Sequence, residues 1–280
     1  MAFAAVLLTN AGPLASRPAK KRVGTISMTV THHVGLLVAY LGALLAWLAL
    51  RSWNDLLWRQ QPDPVFASPW REVVWALVAV AAVLGIGILY SQGWLLPATS
   101  RHRPALDAVN QVLIYSPIPL LLLVRRQGPE TAWLPTRRIL SRVGVGLVLA
   151  LLALLLYALV RTGVQAWPEL VLQTYQPRHI SYLVQVLLED FGIAVAFVRF
   201  RAALGLRPTL LIVATLFAAA HIPGLLASGA RLTDIVTLSG DVGLGVLALA
   251  VLQRARDIWW FWMVHFALDM TQFFPVPAAA

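Results

Sequence analysis

Apolar residues run almost unbroken through long stretches of this chain, and polar residues collect in the short gaps between them. A helix needs about 17–25 such residues to cross a bilayer. Runs of that kind cover residues 34–50, 73–90, 106–124, 143–160, 180–200, 209–227, 235–252 and 258–274. The pattern predicts an all-α fold, a polytopic membrane bundle of about eight transmembrane helices. Within the third run, Tyr115-Ser116-Pro117-Ile118-Pro119 predicts a kink, because proline removes a helical hydrogen bond. Residues 1–33 read as a disordered tail: a short apolar piece precedes Arg17, Lys20, Lys21 and Arg22, the reverse of signal-peptide order. Met28, just before the first run, is an alternative start.

The two halves differ in polarity. Residues 34–160 hold few polar groups, chiefly Asn110 and the kink, and read as a four-helix scaffold. Residues 180–274 hold Glu189, Asp190, His221, Asp241, His265 and Asp269. An acid in mid-span costs roughly 2.5–3.5 kcal/mol on insertion scales and survives where it faces protein or a water-filled cavity, so adjacent Glu189 and Asp190 need shared partners. Phe217 and His221, and again His265 and Asp269, lie four apart and therefore on one helical face. Bland roles exist for each: His221 as a structural histidine bonded to a carbonyl, His265 and Asp269 as a buried ion pair, and Asp241, among Gly240, Gly243 and Gly245, as a helix-packing hydrogen bonder. The conjunction on separate helices favours a site.

Composition strengthens the membrane reading. Of 280 residues, 59% are hydrophobic and 12% charged, with mean hydropathy +0.75, far from soluble usage. The net charge of +10 comes from arginines in short loops, which suits membrane lipids as partners and not nucleic acid. More of these cations fall on the side away from the termini, which puts both termini outside. Trp94, Trp133 and Trp167 are predicted to sit in the interfacial belt, and Arg199 and Arg201 to anchor their helix at the surface. With no cysteine, disulfides and thiolate chemistry are excluded.

Glu189-Asp190, Phe217 to His221 and His265 to Asp269, followed through Gly243-Leu244-Gly245 and Arg254-Ala255-Arg256-Asp257-Ile258-Trp259-Trp260, resemble the CAAX protease and bacteriocin-processing (Abi) family of intramembrane proteases. The family's pattern is EExxFRG, FxxxH and HxxxN or HxxxD on separate helices. The resemblance covers roughly residues 180–274. Here the second glutamate is Asp190 and the arginine is Ala194, so Asp190 is expected either to find another partner or to be protonated.

The resemblance implies an intramembrane endopeptidase that hydrolyses a peptide or lipidated peptide with a glutamate-activated water. Glu189 is then the base, His221 helps hold the water, and His265 and Asp269 serve the oxyanion, with Asp190, Phe217 and Asp241 in support. An ionised Asp269 can only accept hydrogen bonds, so it is expected to orient His265. No cofactor is expected. The competing chemistry is zinc held by Glu189, His221 and His265, a plausible ligand set that lacks compact HExxH spacing. Alternatives are a catalytically weakened relative acting as a membrane scaffold or bacteriocin self-immunity factor, and a proton-coupled transporter relaying through Glu189, Asp190 and Asp241. The high Ala, Leu and Arg content suits a bacterial chain and hence an inner-membrane location.

Overall fold

A computed structural model describes residues 25–53, 62–96, 103–222 and 232–273. The basic tail segment, Pro223 and Phe274 lie outside the described residues. Among those described, every regular element is helical and none is a strand. The α-helices are α1 (Thr25–Trp53), α2 (Pro69–Ser91), α3 (Arg103–Tyr115), α4 (Pro117–Val124), α5 (Ile139–Arg161), α6 (Trp167–Thr174), α7 (Ile180–Leu204), α8 (Leu206–Ala219), α9 (Leu232–Ala255) and α10 (Ile258–Met270), with single 3-10 turns at Pro129–Ala132, Val164–Ala166, Pro177–His179 and Thr271–Phe273.

Three segments are long and apolar enough to cross a membrane, Thr31–Ser52, Pro69–Ser91 and Ile139–Arg161, and the pair α3 and α4, bent by 41° at Ser116, makes up to a fourth. This is the mark of a membrane protein. The bend falls where Pro117 cannot donate into the preceding turn. The first helix begins at Thr25, so residues 25–33 belong to it and not to a tail. Polar His32 ends no span because Tyr157 Oη lies 2.8 Å from its Nδ1, while His33 Nε2 lies 3.4 Å from Asp241. Residues 161–179, read as a loop, fold in part as α6, with Pro168 in its first turn.

Contacts between helix ends fix the directions. The start of α2 meets the ends of α4 and α7 through Glu72, Arg125 and Arg199, and the starts of α5 and α10 meet through Arg142 and Asp257. At the opposite end, Tyr90 of α2 donates to Asp107 of α3 (3.3 Å), and the start of α1 meets the end of α5. The helices therefore alternate up and down. One end gathers most of the arginines, and is called the arginine end below.

One hydrophobic cluster runs through both halves of the chain. At its centre α10 packs against α5, α1 and α7 and is buried over nearly its whole length. Trp47 stacks on Trp260 (5.6 Å between centroids) and Tyr40 on Phe261 (6.2 Å). α5 comes this close because Gly146 has no side chain: a Cβ there would lie 2.6 Å from the Cα of Trp260. Backbone cannot yield as a side-chain tip can, so Gly146→Ala is expected to destabilise the protein by about 1–3 kcal/mol. Gly85→Ala, where an added Cβ meets nothing within 4 Å, is expected to be neutral or to stabilise by about 0.5–1 kcal/mol. Melting curves of both variants in one detergent check the pair.

Two expectations are corrected by burial. Trp133 is fully buried and tilts against Phe197 (5.3 Å), so it fills the core and does not sit in the interfacial belt; Trp94, 75% exposed, fits that belt. Arg199 is 0% exposed and is no surface anchor. Its guanidinium donates to Val195 O (2.9 Å) and to Gln127 Oε1. Gln127 in turn donates to Glu72 (2.9 Å), which also takes Arg125 at 2.6 Å. A buried ionic network thus ties α7 to the start of α2 and the end of α4 and compensates an otherwise costly charge.

Candidate active site

Asp190 lies near the middle of α7, and the helix turns it inward: it is 1% exposed, while neighbouring Glu189 is only partly buried. Opposite, α10 brings up His265, whose Nδ1–H donates to Asp190 Oδ1 at 2.7 Å. This is the partner Asp190 needed in the absence of an arginine at Ala194, a fully buried position. His265 Nε2 points to the other carboxylate on its own face, Asp269, at 3.7 Å. That separation is an ion-pair distance and too long for a hydrogen bond, so Asp190, and not Asp269, orients the imidazole. Asp190 Oδ2, His265 Nε2 and Asp269 Oδ1 are buried and make no hydrogen bond among the described residues.

Glu189 completes a quartet: His265, Asp269 and Asp190 are its electrostatic neighbours, and Tyr115 donates a hydrogen bond to its carboxylate. A second phenol approaches from α1. Tyr40 is fully buried, its Oη has no hydrogen-bond partner among the described residues, and its charged neighbours are Asp269, Asp190 and Glu189. Sequence reading missed both tyrosines. Tyr115 stood within the kink motif, and Tyr40 is an ordinary residue of an apolar span, so only the three-dimensional arrangement distinguishes it.

A cavity of about 20 Å³, enough for about one water molecule, lies between α7, α8, α9 and α10, with Asp190, His265, Phe217 and Phe261 in its wall. Gly245 lets α9 approach α8 here, since a Cβ would meet that of Ala214 at 3.3 Å. The walls are otherwise apolar, which strengthens any electrostatic interaction within.

His221 lies just beyond the end of α8. It is buried one turn beyond Phe217, edge-on to that ring at 4.9 Å, and its Nδ1–H donates to Phe217 O at 2.7 Å. Its charged neighbour is Asp241. Asp241 pairs with His33, so it lies at the junction of α1 and α9, outside the quartet. Among the described residues no group of three or more His, Cys, Asp or Glu side chains is arranged to hold a metal ion, the set of Glu189, His221 and His265 included.

Comparison with protein-family models, with curated proteins and with solved structures finds no match to this chain.

Proposed function

We propose that this chain is an intramembrane endopeptidase of the bacterial inner membrane, an eight-span bundle that hydrolyses a peptide or lipidated peptide with a water activated by Glu189. The observation that carries the reading is the quartet of Glu189, Asp190, His265 and Asp269, packed between helices beside a cavity the size of one water. Three buried polar atoms of this group have no hydrogen-bond partner among the described residues, and polar groups so placed ask for a ligand.

In the proposed reaction Glu189 takes a proton from water as its oxygen attacks the peptide carbonyl, and later delivers that proton to the leaving amine. The developing oxyanion is met by His265 Nε2–H, held in place by the Asp190 bond on the other nitrogen, and by the phenol of Tyr40. Asp269 compensates the charge on His265. The bond from Nδ1 to Phe217 leaves the Nε2 lone pair of His221 to accept from the water, the role it keeps in this scheme. The Asp190–His265 bond also weakens the case for a non-catalytic scaffold, which rested on the missing arginine.

The test is cleavage of transmembrane peptides by purified protein in detergent, with Glu189→Gln as the control. Two milder variants sharpen it. Tyr40→Phe removes only a hydroxyl and is expected to lower kcat by about 10²-fold, the loss of one oxyanion donor, with KM unchanged and the melting temperature no lower. Unchanged kcat would strike Tyr40 from the mechanism. Asp269→Asn, by contrast, is expected to retain appreciable turnover, since the amide can still face His265 Nε2.

A further inference from the structure

All four non-glycine residues with left-handed backbone among those described lie at the arginine end: Arg126 (φ 52°), Trp133 (φ 55°), Arg138 (φ 55°) and Arg256 (φ 52°). Three of them are arginines. Arg126 terminates α4 by a Schellman motif, its amide bonding Leu123 O at 3.0 Å and the next amide Leu122 O at 2.9 Å; glycine is the usual occupant of that position. A side chain kept where glycine would relieve strain points to a use for the side chain.

For Arg256 the use is visible, an ion pair with Asp63 (2.9 Å). Arg126 and Arg138 are exposed and make no ion pair or side-chain hydrogen bond among the described residues. Arg71, Arg137 and Arg207, at helix termini of the same end, are exposed as well. The acids of this end are engaged: Glu72 by Arg125, Asp63 by Arg201 and Arg256, Asp257 by Arg142. Glu130 is left as the acid without an arginine partner among the described residues. Trp70, 60% exposed, sits beside Arg71 where the apolar face of α2, with Val74, Leu77 and Val78, begins. The cations therefore stand at headgroup height, at the rim of surfaces that suit acyl chains.

We propose that the arginine end is a binding surface for anionic phospholipid headgroups, with Arg126 and Arg138 as phosphate ligands. Guanidinium pairs with phosphate through two parallel hydrogen bonds, and the cytoplasmic leaflet carries the anionic lipid. The surface thus also sets the orientation, with this end toward the cytoplasm. It uses none of the groups of the proposed hydrolysis and stands whether or not that reaction does.

The experiment uses the full chain in nanodiscs of phosphatidylcholine alone or with phosphatidylglycerol, reading melting temperature and the lipids retained in native mass spectrometry. Phosphatidylglycerol is expected to raise the wild-type melting temperature and to remain bound. The double variant Arg126→Gln, Arg138→Gln is expected to lose both effects. Arg126→Gly with Arg138→Gly separates binding from backbone strain: it is expected to melt higher than wild type in phosphatidylcholine yet to gain nothing from phosphatidylglycerol. An undiminished phosphatidylglycerol effect in either double variant, or none in wild type, overturns the proposal. Inorganic phosphate added to phosphatidylcholine discs is expected to do nothing; an equal shift there overturns the assignment to lipid in favour of a free anion.

Discussion

Replacing Glu189 by Gln is expected to abolish peptide hydrolysis and leave the protein folded. Glutamine has the size of glutamate and still offers an oxygen to the Tyr115 hydroxyl, so neither a cavity nor an orphaned donor results. What it cannot do is take a proton from water. General-base catalysis contributes about 10²–10⁴-fold, and in a metal-free scheme the remaining groups do not replace it. Cleavage followed by mass spectrometry, with melting temperature alongside, separates loss of chemistry from loss of fold. Full activity in this variant removes Glu189 from the mechanism. Wild-type protein that cleaves no peptide, with a cellular phenotype indifferent to Glu189→Gln, replaces the protease reading by a scaffold or immunity role.

The largest effect on stability is expected from Arg142→Gln. Arg142 and Asp257 join the starts of α5 and α10 and are both buried. Asp257 also caps α10, its Oδ1 accepting from the Trp259 amide at 3.1 Å. Removing one partner of such a pair leaves a buried, uncompensated charge, which costs about 3–5 kcal/mol. The sign of the pH dependence follows. Burial already pushes the Asp257 carboxyl above its ordinary range, against the pull of Arg142 and the Trp259 amide, and loss of Arg142 pushes it further. A folded-state value above the unfolded one means that protonation favours the fold, so the deficit of Arg142→Gln is expected to shrink as pH falls through that value. Melting curves of wild type and variant across pH check this; a deficit that grows on acidification contradicts it.

Much of the fold could be read from the chain because apolar runs and their interruptions report helices directly. Helix positions and the bend at Ser116 follow from hydropathy and proline. Burial was harder to read. Arg199 and Trp133 look like interfacial residues by type and by place near helix ends, yet Glu72 with Gln127 draws the one inward and Phe197 covers the other. In the site, the acidic pair and the HxxxD face stand out because charge in an apolar helix is rare. The Asp190–His265 bond was not legible: which of two carboxylates meets an imidazole depends on the rotation of α7 against α10, fixed by contacts such as the bond from Trp262 Nε1–H to Leu183 O (2.8 Å). The two tyrosines carry no local signal at all.

The burial of α10 has a consequence for biogenesis. Helices with lipid-facing sides, such as α2, can rest in the bilayer before they meet their neighbours. α10 presents almost no such side, so its final environment is protein supplied by α1, α5 and α7. Synthesis delivers it after those three, and only its docking joins His265 to Asp190. During membrane insertion the nascent chain therefore carries Glu189 and Asp190 without their imidazole, and the quartet comes into being only when α10 docks.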